Sequence, residues 1–215
     1  MIIESSINKC WEEAMRYFLN NAYSRNMCGK EYLLLDNLTV QAQNYTVEPT
    51  LSAFCPWQLR NREYYLSQIT SPGKHSEINR LYSFGPNQIN QYEYAIKIIK
   101  KRKNIKPIVI PIYDPNKDNR ENVPTPCISN IALDVSDGVI NMHVNYSTMN
   151  LFRMALLDYH QMAYLHLNVA TESCKEVGKL RISSVQIHMP VFDFIVSKKI
   201  FDIGEKDAQV NYKEG

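Results

Sequence analysis

The sequence lacks an apolar run long enough to cross a lipid bilayer, although 45% of its 215 residues are hydrophobic. A membrane-spanning helix needs about 20 consecutive apolar residues, so we expect no membrane segment. The first residues also lack a basic stretch followed by an apolar core, which is the pattern of a secretory signal. These two absences predict a cytoplasmic location.

Cysteine is sparse, and its pattern suits neither disulfides nor zinc. The five cysteines are an odd number, and no two of them stand in a CxxC spacing. This argues against a disulfide framework and a zinc cluster, and it favours a reducing compartment. We therefore predict no bound metal, and we expect most of the cysteines to be small core side chains.

An excess of charge of one sign is absent as well. The 24 basic and 22 acidic residues leave a formal net charge of +2, so charge alone predicts no nucleic-acid partner. The basic run at residues 100–103 is either a site for a polyanion or a solvated helix end that complements the helix dipole.

Length and composition favour one domain with a single core. The charged residues, at 21% of the chain, are in the ordinary range for a globular protein. We assign residues 1–203 to this domain and residues 204–215 to a polar C-terminal tail.

The apolar periodicity predicts helices and strands in irregular order. Helical spacing is found in residues 6–21, 57–69, 87–103 and 151–172. Strands are predicted in residues 30–48, 106–113 and 180–188, and on both sides of the turn signal Asp137-Gly138, from residue 127 to 135 and from 139 to 146. This mixed order, without regular βαβ alternation, predicts the α+β class.

A proline and a cysteine, Pro126-Cys127, open the first strand of the predicted hairpin. The hairpin Gly138 follows, then a segment at residues 147–152 ahead of a helix, and finally His188 near the end of a later strand. In this order and spacing the chain resembles the thymidylate synthase family, which includes the cytidylate and deoxycytidylate hydroxymethylases. The resemblance is good over residues 80–190 and looser in the N-terminal third.

The resemblance implies a thymidylate-synthase-like fold, with a mixed sheet packed with helices and a dimer through the sheet face. The dimer is either a homodimer or a pair with a homologue. It further implies that Cys127 is the nucleophile. Addition of its thiolate to C6 of a pyrimidine makes C5 an enamine carbon, which attacks 5,10-methylenetetrahydrofolate, the implied cofactor. The thiol needs a lowered pKa, which a nearby cation would supply.

Asp158 falls at the position that reads the base in this family, where enzymes acting on uracil carry Asn and those acting on cytosine carry Asp. A protonated carboxyl complements the N3 acceptor and N4 donor of cytosine, whereas an amide complements uracil. We therefore expect a cytosine nucleotide, CMP or dCMP, or the nucleoside as substrate. The product is the 5-hydroxymethyl or the 5-methyl derivative.

Glu63 and His188 match two further family positions, a glutamate that manages protons and a histidine that helps to hold the nucleotide. A surface glutamate and a satisfied core histidine are the structural alternatives. Ser147, Thr148 and Asn150 stand in the family's substrate-binding segment.

Two of these residues depart from the family pattern. Ser147 replaces the arginine that grips the phosphate, and Asn150 replaces an aspartate that contacts the folate. A serine brings no charge, so a bidentate phosphate clamp is lost. Arg25 and Lys106 are candidates to supply the missing charge.

These losses leave two other functions open. One is a catalytically degenerate subunit that keeps the fold and binds a nucleotide or a homologous partner. The other is a thymidylate synthase acting on dUMP, which Asp158 disfavours.

Overall fold

The structure of the protein is a computed structural model that describes residues 1–27, 29–45, 52–55, 62–71, 76–101, 104–121 and 125–211. The strands are β1 (Ile2–Glu4), β2 (Tyr23–Met27), β3 (Lys30–Ala42), β4 (Ile105–Pro111), β5 (Ile128–Ser136), β6 (Val139–Asn150) and β7 (Glu176–Pro190). The helices are α1 (Ile7–Asn21), α2 (Arg62–Thr70), α3 (Gln91–Lys101), α4 (Pro115–Asp118), α5 (Ala155–Glu172) and α6 (Val191–Asn211), with a 3₁₀ helix at Glu77–Leu81.

The strands form one mixed sheet in the order β1-β3-β7-β6-β5-β4, and β2 also pairs with β3. The central pair, β6 and β7, is parallel, and the pairs β3–β7, β5–β6 and β4–β5 are antiparallel. A parallel pair needs a crossover connection, which α5 provides. Helices α1, α5 and α6 pack on the sheet. The architecture confirms the α+β class with a mixed sheet packed by helices.

The hairpin between β5 and β6 turns at Asp137-Gly138, as predicted. Both residues have positive φ, 51° and 85°, the backbone that a tight two-residue hairpin turn requires. Along β6, buried Met142, Val144 and Tyr146 alternate with less buried neighbours. This period of two places one side of the strand in the core.

Helix α1 matches its prediction closely. Ser6 caps it by accepting a hydrogen bond from the backbone N–H of Lys9. Trp11 is fully buried, and its indole N–H donates to the Leu151 carbonyl at 2.8 Å. The apolar face of α1 thereby contacts the turn that precedes α5.

Several predicted boundaries differ from the structure. Helix α5 begins at Ala155 rather than residue 151, because β6 continues to Asn150 and turns fill the gap. Strand β2 was not predicted, and residues 57–61 of the predicted second helix lie outside the described residues. Within the segment assigned to a polar tail, residues 204–211 continue α6 to Asn211. Polar composition alone does not end a helix, and residues 205–211 contain neither proline nor glycine.

Among the described residues, none of the helices has the length and hydropathy that a bilayer span requires.

The core contains a hydrogen-bonded histidine. His166 is fully buried, its Nε2 lies 2.7 Å from the Ile140 carbonyl oxygen, and its Nδ1 lies 2.6 Å from the Tyr45 hydroxyl. A carbonyl only accepts, so Nε2 carries the proton and Nδ1 accepts from Tyr45. Burial lowers the pKa of His166 to about 4, and the ring is therefore neutral at neutral pH.

We expect the free energy of unfolding to fall as the pH drops from 6.5 towards 4. The unfolded chain protonates this histidine near its ordinary pKa of 6.5, whereas the folded chain does so only near 4. The contribution of neutral His166 to the free energy of unfolding is therefore complete above pH 6.5 and is reduced by about 2 kcal/mol at pH 5. Urea unfolding at pH 7 and pH 5 measures it. His166→Gln keeps one donor and one acceptor, and an equally steep pH dependence in this variant would contradict the assignment.

Candidate functional site

A pocket of about 480 Å³ opens where one end of the central strands meets α5 and the 3₁₀ helix. This volume is in the range of small-molecule sites. Its walls include Cys127 just before β5, Thr148 on β6, Asp158 on α5 and His188 on β7. Residues predicted from separate parts of the sequence therefore share one pocket.

Glu77 holds the backbone at Cys127. The N–H groups of Cys127 and Ile128 donate to the two oxygens of the Glu77 carboxylate at 2.7 and 2.8 Å. Ser76 caps the 3₁₀ helix that begins at Glu77, and both residues line the pocket. Sequence reasoning missed Glu77, because a single glutamate in a segment without periodicity carries no motif.

The thiol of Cys127 is half-buried, and its electrostatic surroundings contradict the sequence-based expectation of a lowered pKa. Burial raises the pKa of Cys127 to about 11, with smaller contributions from the negative charges of Glu77 and Asp158. Loss of water and nearby carboxylates both disfavour a thiolate. None of the described residues that line the pocket is a lysine or an arginine. The resting thiol is therefore protonated.

Asp158 lies in the first turn of α5 and forms part of the pocket wall. Burial raises its pKa to about 7, and the charge of Glu77 adds to this effect. The carboxyl is therefore close to half protonated at neutral pH. In the protonated form it offers one O–H donor and one carbonyl acceptor side by side.

His188 and Thr148 form a polar wall across the parallel strands β6 and β7. The His188 Nδ1 lies 3.0 Å from the Thr148 hydroxyl oxygen, and the ring packs edge-on against Tyr32. Burial lowers the pKa of His188, which favours its neutral form. Asn150 also lines the pocket, and its side-chain oxygen accepts a hydrogen bond from the backbone N–H of Arg153 at 3.1 Å.

Ser147, predicted to bind substrate, does not line the pocket. It is exposed, and its hydroxyl lies 3.2 Å from the Pro126 carbonyl oxygen and 3.1 Å from that of Cys127. Alternation along β6 accounts for this, since Tyr146 and Thr148 reach the pocket and the residue between them points away. The hydroxyl instead supports the backbone before β5.

Three other predicted residues, Glu63, Arg25 and Lys106, are also absent from the pocket wall. Glu63 is exposed in the first turn of α2, and Gln68 of the same helix reaches the pocket instead. Arg25 is exposed on β2 and Lys106 on β4, towards opposite edges of the sheet. The acid/base role predicted for Glu63 and the binding roles predicted for the two cations are therefore not supported.

Arg153, which lies three residues after the pocket residue Asn150, already forms an ion pair. Arg153 donates two hydrogen bonds of 2.6 Å to the carboxylate of Asp193, which is buried at the start of α6. This bidentate geometry commits the guanidinium to joining the turn before α5 to α6.

No family model matches the chain, and no curated protein matches it. The fold is a mixed α+β fold, and its pocket has the size of a small-molecule site and is lined by a thiol, two carboxyl groups and a histidine. Within the described ranges, no cluster of three or more His, Cys, Asp or Glu side chains has an arrangement for a metal ion.

Glu77→Gln is expected to make Cys127 more reactive. The substitution keeps the size of the side chain and removes a negative charge that raises the pKa of Cys127, so this pKa shifts from about 11 towards its ordinary value of 9.0. At pH 8 we expect several-fold faster alkylation of Cys127 by iodoacetamide, followed at peptide level by mass spectrometry. Glu176→Gln removes an exposed charge at the start of β7 and serves as the matched control. An unchanged alkylation rate in Glu77→Gln would contradict the electrostatic role.

Proposed function

We propose that this protein has a thymidylate-synthase-like fold and modifies C5 of a cytosine nucleotide, CMP or dCMP, with a one-carbon unit from 5,10-methylenetetrahydrofolate. The observation that carries the proposal is that Cys127 and Asp158 line the same pocket. One supplies a group that adds to C6 of a pyrimidine, and the other supplies a group that reads its N3 and N4 edge.

The raised pKa of Asp158, about 7, supports the choice of cytosine. A carboxyl that is protonated near neutral pH donates its O–H to N3 and accepts a hydrogen bond from the N4 amino group. In the orientation that pairs with cytosine, the carboxyl presents its O–H to N3–H of uracil and its carbonyl oxygen to O4, so both contacts are mismatched. This electrostatic property is independent of the sequence resemblance.

The residues of the pocket have distinct proposed roles. Cys127 gives its thiol proton to the carboxylate of Glu77 and its sulfur forms the bond to C6, which converts the C5–C6 double bond into the enamine that reacts at C5. The bond from sulfur to C6 breaks, and the double bond forms again, when the product leaves. Glu77, which contacts the backbone of Cys127, takes the proton-managing role that the sequence suggested for Glu63. His188 and Thr148 hold the remainder of the ligand at the β6–β7 wall.

The fit of the folate rests on the apolar part of the pocket. Met154 and Leu157 line it beside Asn150, and apolar side chains suit a flat ring system. The side-chain oxygen of Asn150 accepts the backbone N–H of Arg153, which leaves its amide N–H groups to donate to a ligand acceptor. Methylenetetrahydrofolate would supply the carbon, and water or hydride then decides between the hydroxymethyl and the methyl product.

Release of tritium from C5 of labelled CMP and dCMP tests the proposal. We expect release with the cytosine nucleotides and much slower release with UMP and dUMP. Cytidine is included, because no described pocket residue is an obvious phosphate ligand. Absence of release from every pyrimidine nucleotide and nucleoside, in the presence and absence of methylenetetrahydrofolate, would refute the enzymatic function.

A second candidate is a non-catalytic binding subunit. The raised pKa of Cys127 favours it, because a protonated thiol is a poor nucleophile. This function predicts that CMP raises the melting temperature of the protein although no tritium is released.

We also propose a dimer through the face of the sheet opposite the packed helices. His143, Ser183 and Thr39 form a hydrogen-bonded row of 2.9 Å contacts across three strands. Val109 and Val185 are 61% and 65% exposed. A second copy of the chain would cover these side chains, and sedimentation velocity measures whether a dimer forms.

A further inference from the structure

The hydroxyl of a buried tyrosine in the pocket wall has no hydrogen-bond partner among the described residues. Tyr146 of β6 is only 2% exposed and lines the pocket. Its hydroxyl makes no hydrogen bond to any of the described residues. Buried polar groups are nearly always paired, because an unpaired one loses its hydrogen bonds to water without compensation. An unpaired hydroxyl at a pocket wall therefore indicates a ligand atom.

The surroundings of Tyr146 establish what kind of partner it needs. Burial raises its pKa well above 10, and the nearby charges of Asp158 and Glu77 act in the same direction. The phenol is therefore neutral throughout the physiological range. A neutral phenol can donate one hydrogen bond, and a ligand acceptor such as a carbonyl oxygen satisfies it.

We propose that the Tyr146 hydroxyl donates a hydrogen bond to the C2 carbonyl oxygen of the bound pyrimidine. This inference rests on the proposed function, which assigns the N3 and N4 edge to Asp158 and C6 to Cys127. With N1 attached to the sugar, O2 is the polar atom of the cytosine ring that still lacks a partner. It is an acceptor, which matches the donor that the pocket presents.

The chemistry separates Tyr146 from Asp158 in function. Cytosine and uracil carry the same C2 carbonyl, so the Tyr146 contact strengthens binding of either base and does not discriminate between them. Asp158 contacts the edge where the two bases differ. Tyr146 is accordingly a residue for pyrimidine affinity, and Asp158 is a residue for base choice.

The test compares two conservative variants by calorimetric titration with CMP. Tyr146→Phe removes only the hydroxyl, and we expect the dissociation constant to rise about 5- to 10-fold. The matched control is Tyr65→Phe. Tyr65 is 5% exposed and its hydroxyl is also unpaired among the described residues, but it does not line the pocket. We expect this variant to bind CMP like the unmodified protein.

A ligand analogue provides the same test without a substitution. In 2-thio-CMP a sulfur, which is a weaker acceptor, replaces O2. We expect the unmodified protein to bind it more weakly than CMP, and Tyr146→Phe to bind the two ligands almost equally.

The outcomes separate a failure of the Tyr146 contact from a failure of the proposed function. Equal affinity of Tyr146→Phe and the unmodified protein for CMP, or an equal loss in Tyr65→Phe, would overturn the role of Tyr146 alone. If the unmodified protein binds no pyrimidine nucleotide or nucleoside, the proposed function and this contact fail together.

Discussion

Replacing Cys127 by alanine is expected to reduce the release of tritium from C5 of CMP by about 10³-fold or more, to the background rate. Exchange at C5 requires a covalent bond at C6, and no other cysteine lines the pocket within the described residues. The loss should appear in kcat with the fold intact, because alanine replaces a half-buried side chain of similar size.

The control for this variant is Cys174→Ala. Cys174 is free and exposed, at the end of α5 and away from the pocket. The Cys174→Ala substitution removes one thiol without touching the proposed site, so tritium exchange at C5 should continue at the rate of the unmodified protein. Residual exchange in Cys127→Ala close to that of the unmodified protein would show that Cys127 is not the nucleophile.

The pH profile of the exchange tests the same mechanism. The reacting form needs a thiolate at Cys127, with a pKa of about 11, and a protonated Asp158, with a pKa of about 7. Between these two pKa values, each pH unit raises the fraction of Cys127 that is thiolate tenfold and lowers the fraction of Asp158 that is protonated tenfold. About one ligand-free protein molecule in 10⁴ therefore has both groups in the required state. We expect kcat/KM to rise tenfold per pH unit below pH 7 and to be level above it.

This profile has a clear contrary outcome. A continued tenfold rise per unit from pH 7 to pH 9 would mean that the protonated form of Asp158 is not required. The low population of the reacting form also predicts a slow enzyme, unless ligand binding removes water and redistributes the proton between the two groups.

Asp158→Asn is expected to reverse the preference between cytosine and uracil. In the orientation that donates to O4 and accepts from N3–H of uracil, an amide presents the wrong groups to N3 and to the N4 amino group of cytosine. Sites that pair buried polar groups discriminate strongly, and we expect the ratio of kcat/KM for CMP over UMP to fall by about 10³-fold or more. Parallel tritium-release assays with the two nucleotides measure this ratio.

The matched control is Asp137→Asn in the β5–β6 turn. This residue has a φ of 51°, a conformation that asparagine adopts readily, and it is outside the pocket. The control removes one carboxylate and should leave the preference unchanged. An unmodified protein that prefers UMP would contradict the interpretation of Asp158 directly.

Local patterns determined much of the fold. The capped helix α1 and the hairpin at Asp137-Gly138 follow from signals within a few residues, namely a capping serine, a 3.6-residue period and a turn that needs positive φ. Short-range signals of this kind were sufficient for the α+β class. They were insufficient for β2 and for α6, neither of which was predicted.

The sequence by itself also predicted Cys127, Asp158 and His188 as site residues, and the structure brings these three side chains to one pocket. Ser147 and Glu63 do not line this pocket, because a shift of one residue along a strand, or one face around a helix, changes the direction of a side chain. The tertiary structure alone brought Glu77 and Tyr146 to the same pocket, because they come from segments that are far apart in the sequence. It also decided the pKa of Cys127, since burial and the charges that surround a thiol depend on how separate elements pack together.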